Sequence, residues 1–279
     1  MAHRSSSSRI LEAALVALLF LAIGIGFLVY GARPWSTELA SRHGAGIDAM
    51  MNFLLTTTGA MFVIGHLILA TLIFQGALRG RVSLRMASEK TERRLALGLG
   101  LLMAFAAEGG VLAIGIPVFN EYFGDIPEDA VVIEVTAQQF AWNVRYPGPD
   151  ATFARTDPGL ISIDNPIGID AADPAASDDR LFINQVTVPV GRPVHVVLKS
   201  RDVIHSFFLP AHRVKQDAVP GMTIDIWFFP TREGTFEIPC TELCGLGHYR
   251  MEGQLRVVSE SEYQQFVAPA VADNQGGAR

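Results

Sequence analysis

Pro239-Cys240-Thr241-Glu242-Leu243-Cys244-Gly245-Leu246-Gly247-His248-Tyr249-Arg250-Met251 is the stretch that decides the interpretation of this 279-residue chain. It places two thiols, an imidazole and a thioether within a short span, and its two cysteines are the only ones in the sequence. A single pair of cysteines in a chain of this length argues against a disulfide scaffold. The stretch therefore predicts a site for a soft metal ion.

Copper is the metal that this set of ligands favours. Thiolate and imidazole suit copper, zinc or iron, but a thioether such as Met251 is a weak ligand that copper takes as a long axial contact. Zinc has no use for a thioether, and Cys240 and Cys244 are spaced more widely than in the usual zinc motif. A further strong ligand is expected upstream at His205, which lies in a stretch of strand character followed by turn residues.

The second cysteine distinguishes two kinds of copper site. A mononuclear blue-copper site needs one cysteine and two histidines, so it leaves either Cys240 or Cys244 without a role. Two thiolates four residues apart on one loop can instead both bridge a pair of copper ions, with His205 and His248 as terminal ligands. The binuclear interpretation is therefore favoured. One histidine from an upstream strand and the remaining ligands from one late loop is the arrangement of a cupredoxin.

The second half of the chain is predicted to be an all-β domain. Short stretches of alternating or β-branched residues recur between turn signals at 130–135, 139–146, 181–190 and 194–199. Residues 156–180, rich in Asp, Ala and Pro, are expected to form a surface excursion with little regular structure. Regularly spaced short strands are typical of a β-sandwich or barrel, here of the Greek-key cupredoxin type.

Three apolar stretches in the first half, at residues 10–30, 51–74 and 95–119, are each long enough for the ~20 residues that a membrane helix needs. The first is either a transmembrane helix or a signal peptide, and its length favours the helix because signal-peptide cores run to about 7–15 residues. Basic residues fill the connection between the second and third stretches: Arg79, Arg81, Arg85, Lys90, Arg93 and Arg94. The positive-inside rule places that loop in the cytoplasm. We therefore expect a multi-pass protein of a bacterial-type cell (inner) membrane, with its copper domain on the periplasmic side.

The charge of the chain differs between its halves. Residues 1–121 contain ten Lys/Arg and seven Asp/Glu, whereas residues 122–279 contain twelve and twenty-one. An acidic extramembrane domain favours a basic protein partner and argues against nucleic acid.

The pattern Cys240-x-Glu242-x-Cys244-x3-His248-x2-Met251, with His205 upstream, resembles the CuA centre in subunit II of the heme-copper oxidases, especially cytochrome c oxidase. The stretches 139–142 and 214–221 and the membrane hairpin match the same family, so the resemblance covers about residues 50–268. It implies that Glu242 binds copper through its backbone carbonyl. Its carboxylate would then help to hold a magnesium ion at the interface with subunit I.

The resemblance also implies a function. The chain would accept single electrons from a c-type cytochrome or a similar donor and pass them to a heme in subunit I, where oxygen is reduced to water. No residue of this chain supplies the heme ligands or the oxygen site, so no catalytic residue is assigned here. Electrons would enter through the aromatic pair Phe140 and Trp142, although both residues are equally well explained as packing for the sheet.

Ionisable residues in or near the predicted helices are candidates for a proton path. The resemblance implies an acidic residue of the hairpin at the cytoplasmic mouth of a proton channel, for which Glu89 or Glu92 has the better depth. Glu108 and His66 lie within apolar stretches, where a charged side chain is costly and is expected to face a protein neighbour. The simpler interpretation is that each forms a hydrogen bond to a partner helix.

Four segments and two alternative functions complete the predictions. The segments are an extra N-terminal helix at 1–31, a helical hairpin at 48–121, the copper domain at 122–268 and a flexible tail at 269–279. The first alternative is the CuA subunit of a nitric oxide reductase, which differs in the active site of the partner. The second is a membrane-anchored copper-delivery protein, which would favour exposed and exchangeable ligands.

Overall fold

The computed structural model describes residues 6–31, 37–79 and 88–268, which divide between two compact units. The first unit spans 1–35 and 46–117, and the second spans 36–45 and 118–279, in each case over the described residues. Part of the basic loop, including Arg81 and Arg85, and the tail at 269–279 lie outside the described residues.

Long apolar helices form the first unit. Helix α1 is Ser6–Gly31, α2 is Arg42–Arg79, and the third helical segment comprises α3 (Glu89–Met103), a π-helical turn (Ala104–Glu108) and α4 (Gly109–Phe123). Three helices of the described chain are long and apolar enough to cross a membrane, which confirms the three predicted helices. Each extends beyond its predicted apolar stretch, because backbone hydrogen bonding continues into flanking polar residues once a helix has formed.

Contacts within this unit come from aromatic and small residues. The rings of Phe27 on α1 and Phe62 on α2 lie 5.1 Å apart. On α4, a Cβ at Gly110 would overlap the ring of Phe53 on α2, so the glycine permits the two helices to approach closely.

The second unit contains ten β-strands over the described residues. They are β1 (Val131–Gln138), β2 (Ala141–Tyr146), β3 (Arg180–Ile183), β4 (Gln185–Pro189), β5 (Val194–Ser200), β6 (His205–Leu209), β7 (Val214–Ala218), β8 (Thr223–Phe228), β9 (Gly234–Pro239) and β10 (Glu252–Val258), followed by helix α5 (Glu260–Val267). One sheet has the order β3-β2-β1-β5-β8, a second has the order β4-β10-β9, and β6 pairs with β7. Parallel pairs join β1 to β5 and β4 to β10, and the other pairs are antiparallel.

The core of this domain is a continuous cluster of alternating strand residues, with Trp142, Phe207, Phe228, Leu198 and Leu255 fully buried. Burying one such side chain stabilises the fold by roughly 1.5–3 kcal/mol. The predicted fold class, apolar helices followed by a cupredoxin-like β-domain, is confirmed.

Asn184 divides the stretch predicted as one strand at 181–190. Its backbone is left-handed, with φ of 59°, a conformation that asparagine tolerates better than most residues. The chain therefore leaves one sheet after β3 and enters the other at β4. The Asn184 side chain accepts a hydrogen bond from the Trp142 amide at 2.8 Å, which fixes the crossing point.

Residues 37–41, which lie between the first two predicted apolar stretches, pack against the β-domain. The Ala40 amide donates to the Ala211 carbonyl at 2.7 Å, and the Ala40 carbonyl accepts from the Thr231 amide at 2.8 Å. The Ser41 hydroxyl donates to the His212 carbonyl at 2.7 Å. These residues are therefore part of the β-domain, which their polar composition does not indicate.

The acidic interval 156–180 is more ordered than expected. Two 3-10 turns occur at Pro158–Leu160 and Pro174–Ser177, each capped by a preceding aspartate, Asp157 and Asp173. Asp179 reaches back to the buried Arg145 at 3.3 Å. The interval therefore has little regular structure, as expected, but its aspartates order it by capping turns and pairing with arginines.

Candidate metal centre

The cysteine loop connects β9 to β10, which pair as an antiparallel hairpin. The amide of Cys240 donates to the carbonyl of Met251 at 3.0 Å and closes the loop at its base. Gly245 has φ of 132°, which favours glycine, and His248 begins a short 3-10 turn. This fold brings the two ends of the motif, Cys240 and Met251, next to each other.

The two thiols form the middle of the site, with an imidazole beside each. The Sγ atoms of Cys240 and Cys244 are 3.9 Å apart. Nδ1 of His205 lies 3.9 Å from Cys240 Sγ, and Nδ1 of His248 lies 3.6 Å from Cys244 Sγ. Ligand atoms of His205 and the two cysteines fall within 4.8 Å of one another, close enough to hold a metal ion.

Two weaker donors lie at opposite ends of this arrangement. Sδ of Met251 is 3.7 Å from Cys244 Sγ, and the carbonyl oxygen of Glu242 is 3.3 Å from Cys240 Sγ. The six residues predicted as ligands are therefore brought together around one pair of sulfurs. His205, both cysteines and Met251 are buried, whereas the Glu242 residue is exposed.

Asp202 orients the upstream histidine. Its Oδ1 lies 2.8 Å from Nε2 of His205, and its Oδ2 accepts from the Gln139 amide at 2.7 Å. A proton held on Nε2 leaves the lone pair of Nδ1 free, and Nδ1 is the atom that faces the thiols. Burial raises the pKa of Asp202, but the hydrogen bonds from His205 and from the Gln139 and Val203 amides outweigh it and lower that pKa overall.

The two thiols ionise unequally in the absence of metal. Burial opposes ionisation of Cys240, but hydrogen bonds from His205 and the backbone of Ser206 outweigh it and lower the pKa of Cys240 to about 6. Burial and then the charge of Cys240 raise the pKa of Cys244 to about 11. One thiolate is therefore ready for a metal ion, and the second is ionised by metal binding itself.

The predicted aromatic pair divides into a buried and a partly exposed residue. Trp142 is 0% exposed, and its Nε1 donates to the Ile238 carbonyl at 3.2 Å, so it packs the core and offers no surface to a donor. Phe140 is partly exposed and lies directly on the cysteine loop, where a Cβ at Gly247 would overlap its ring. Its neighbour Gln139 donates from Nε2 to the Cys244 carbonyl at 2.5 Å.

The candidate proton-path residues lie elsewhere, in the helical unit. Glu89 and Glu92 occupy the first turn of α3, where they complement the helix dipole behind the Ser88 cap. Glu108 ends the π-helical turn and is exposed. His66 Nδ1 lies 2.8 Å from the Phe62 carbonyl of its own helix, with the ring of Phe20 on α1 at 5.5 Å.

Sequence reasoning missed the positioning residues of the site. Asp202 was not singled out from the sequence, and Gln139 was included only within the matching stretch 139–142. The available signal was the spacing of Asp202 and His205, since a carboxylate three residues before a predicted ligand can reach that ligand within one turn.

Comparison with known proteins relates this chain to cytochrome c oxidase subunit II. Residues 131–258 match the family model "Cytochrome C oxidase subunit II, periplasmic domain". The chain is 36% identical over 257 residues to the alternative cytochrome c oxidase subunit 2 of Bradyrhizobium diazoefficiens, covering 90% of both chains. It is also 36% identical over 168 residues to the cytochrome c oxidase subunit 2 of Cereibacter sphaeroides, covering 57% of this chain and 55% of that protein.

Among solved structures, the periplasmic domain of subunit II of cytochrome oxidase from Bradyrhizobium japonicum is 31% identical. The match covers 51% of this chain and 94% of that chain, with a TM-score of 0.38.

Proposed function

The chain belongs to the cytochrome c oxidase subunit II family, and from this premise we propose that it is the electron-accepting subunit of a heme-copper terminal oxidase. It would take single electrons from a c-type cytochrome or a similar donor and pass them to a heme in subunit I, where oxygen is reduced to water. The observation that carries this proposal is a pair of buried thiols 3.9 Å apart with an imidazole nitrogen beside each.

The donor set fits two copper ions better than one. A mononuclear site would use only one of two sulfurs, although each has an imidazole nitrogen beside it, at 3.9 Å for Cys240 and 3.6 Å for Cys244. Two bridging thiolates, Cys240 and Cys244, can hold both ions, with His205 and His248 as terminal ligands. Met251 and the carbonyl of Glu242 then supply one weak ligand at each end. When bound, such a pair supplies a one-electron carrier whose change of charge is spread over both ions.

The chain would hold the copper ligands rigidly during electron transfer. The ligand loop is closed at its base by the hydrogen bond from the Cys240 amide. Asp202 holds the ring of His205, and Gln139 donates a hydrogen bond to the Cys244 carbonyl. Fixed ligands reduce the movement that accompanies each change of charge. The buried sulfurs also exclude water from the centre, which preserves a stable redox site rather than an exchangeable one.

Phe140 is the better candidate for the point at which electrons enter. It is partly exposed and touches the ligand loop, whereas Trp142 is fully buried in the core. Exposed apolar and aromatic side chains lie on the same loop, with Leu246 98% and Tyr249 84% exposed. A donor that presents an apolar rim to Phe140 would come within van der Waals distance of the loop.

Glu242 is proposed to serve two ions through two different groups. Its carbonyl faces Cys240, while the residue itself is exposed and so is free to meet another subunit. A carboxylate is the kind of ligand that magnesium takes, with water completing its octahedron. We therefore retain the proposal of a magnesium ion at the interface with subunit I.

The remaining proposals concern placement. We propose that the end of the hairpin before α3 lies in the cytoplasm, which the basic residues of that loop support, and that residues 122–268 lie on the periplasmic side of a bacterial-type inner membrane. Glu89 and Glu92 would then lie at the cytoplasmic mouth of a proton path. The segment boundaries at 1–31, 48–121, 122–268 and 269–279 likewise remain proposals.

Neither alternative function gains support. The relatives named above are cytochrome c oxidase subunits, which favours oxygen over nitric oxide as the terminal acceptor. The buried ligands are poorly suited to handing copper to another protein, which needs accessible and exchangeable donors.

A Cys244→Ser variant of the whole oxidase tests the proposal. We expect oxygen consumption driven by a c-type cytochrome to fall at least a hundredfold, because an alcohol replaces a bridging thiolate. A small artificial reductant should still reduce the heme of subunit I in the variant. The matched control is Thr241→Ser on the same loop, which should keep cytochrome-driven turnover. Normal turnover in Cys244→Ser would contradict the assigned role.

A further inference from the structure

A cavity of about 290 Å³ lies between the end of α4 and strands β7 and β8. Its polar side chains are those of Tyr122, Gln216, Asp225 and Trp227, and they are set among apolar residues. Sites for small molecules usually occupy about 300–1,000 Å³. The cavity is therefore large enough for a small polar group, such as a lipid headgroup, but not for a whole lipid.

The cavity lies at the level where a membrane meets water. Phe123, in its wall, is the last residue of the third membrane-length helix, Glu89–Phe123. Arg42 is the first residue of the second such helix, and its guanidinium lies 6.0 Å from the centre of the Trp227 ring. Tyrosine and tryptophan concentrate at this boundary because their rings are apolar and their tips are polar. Lipid headgroups can therefore reach this cavity.

Two buried side chains at the cavity have polar atoms that the described part of the chain leaves unpaired. Trp227 is 6% exposed, and its Nε1 has no hydrogen-bond partner among those residues. His43 is 3% exposed, and the same holds for both of its ring nitrogens. The two rings meet edge to face, with their centroids 4.1 Å apart. Since buried polar groups are nearly always hydrogen-bonded, these atoms point to a polar ligand.

The donors suit a phosphate group. Nε1 of Trp227 can only donate a hydrogen bond. The Tyr122 oxygen accepts from the Lys215 amide at 3.2 Å, and the Tyr122 hydroxyl proton has no acceptor among the described residues. A ligand that bonds to both residues therefore has to present acceptor oxygens.

The charges at the cavity suit a cation beside that phosphate. Oδ1 of Asp225 lies 2.7 Å from Nε2 of His195, and its other oxygen has no hydrogen-bond partner within the described chain. Arg42 is paired with Glu121 at 3.6 Å, so the carboxylate of Asp225 is not balanced by that guanidinium. A ligand with a net negative charge would be repelled by Asp225, whereas a primary ammonium would donate to it.

We propose that this cavity binds the headgroup of a phospholipid of the phosphatidylethanolamine type. Its phosphate oxygens accept from Trp227 and Tyr122, its ammonium donates to Asp225, and its acyl chains remain in the bilayer. Phosphatidylcholine has no N–H to donate, and phosphatidylglycerol has no ammonium. The inference goes beyond electron transfer and does not depend on the copper centre.

Native mass spectrometry of the delipidated full chain in detergent tests the proposal by titration with each of the three lipids. Phosphatidylethanolamine should bind about tenfold more tightly than the other two, because only it adds a charge-assisted hydrogen bond. Asp225→Asn keeps an acceptor for His195 and should abolish this preference. The matched control is Glu262→Gln, which removes a similarly exposed carboxylate that pairs with Arg256 at 2.9 Å, and it should keep the preference. Equal affinities in the unaltered chain, or a preference that survives Asp225→Asn, overturn the proposal.

A competition measurement on the unaltered chain separates a lipid headgroup from free phosphate. Glycerophosphoethanolamine, the water-soluble headgroup, should displace the bound lipid, whereas inorganic phosphate at the same concentration should not. Displacement by inorganic phosphate alone would assign the cavity to free phosphate and overturn the proposal. Failure of the headgroup to compete would also overturn it.

Discussion

Replacement of Asp202 by alanine should weaken copper binding without removing a ligand. Asp202 is not itself within the set of donors, yet its carboxylate holds Nε2 of His205 at 2.8 Å and accepts from two backbone amides, those of Gln139 and Val203, at 2.7 Å each. The variant leaves the imidazole free to rotate and to place its proton on Nδ1, the nitrogen that faces Cys240.

The size of the effect follows from those contacts. Loss of a partner that orients a metal-bound histidine costs about 10–100-fold in affinity. At 1.36 kcal/mol per tenfold change, that range corresponds to about 1.4–2.7 kcal/mol. The side chain of Asp202 is 29% exposed, and solvent can replace part of its role, so the lower half of the range is expected. Asp202→Asn should lose less, because its amide oxygen can still accept from Nε2.

The assay is a competition titration of the copper-free chain against a chelator of known affinity. The matched control is Asp225→Ala, since Asp225 also holds a histidine, His195, at 2.7 Å but lies away from the thiols. The control should bind copper as the unaltered chain does. Equal affinity in Asp202→Ala and the unaltered chain, or equal weakening in both variants, would refute the positioning role.

Three further outcomes are expected. Met251→Leu should retain copper and shift the reduction potential measured by redox titration, because only a weak ligand beside Cys244 is lost, and an unchanged potential would contradict that assignment. Arg145→Met should destabilise the β-domain by about 3–5 kcal/mol and lower Tm by about 10 °C, because it removes a buried cation that pairs with two buried carboxylates and leaves Glu134 with Lys199 alone and Asp179 with no cationic partner among the described residues. The control Arg155→Met removes an exposed pair and should change Tm little, so similar losses in both would refute the argument. His212 is buried, and burial together with Arg232 and Arg213 lowers its pKa from 6.5 to about 4, so the folded state binds fewer protons than the unfolded state between those values. This difference contributes about 3 kcal/mol at most to the free energy of unfolding, and the contribution is present above pH 6.5 and lost as pH falls through 4. His212→Phe should therefore flatten the dependence of Tm on pH in that window. An unchanged slope would contradict this assignment.

Local patterns were sufficient to predict the helices and to single out most of the residues that the structure brings together around the two thiols. Five of the six candidate ligands lie in one loop, so their spacing alone indicated a shared site, and His205 followed from the need for one more strong donor. The apolar stretches predicted the helices because twenty consecutive apolar residues have few other structures available.

Features that depend on distant contacts could not be predicted in this way. Asp202 and Gln139 are 63 residues apart, and only the parallel pairing of β1 with β5 brings their segments together. The burial of Trp142 likewise depends on its position beneath the loop, since a tryptophan of the same local pattern can lie on a surface. The packing of residues 37–41 on the β-domain rests on backbone hydrogen bonds, which leave no mark in the side-chain pattern.

The central claim is that Cys240 and Cys244 bridge two copper ions, and electron paramagnetic resonance of the purified, copper-loaded full chain tests it most directly. The metal-to-protein ratio, measured on the same sample, should be two coppers per chain. The spectrum should show hyperfine structure from one electron shared equally between two copper nuclei. One copper per chain with an ordinary mononuclear spectrum would contradict it.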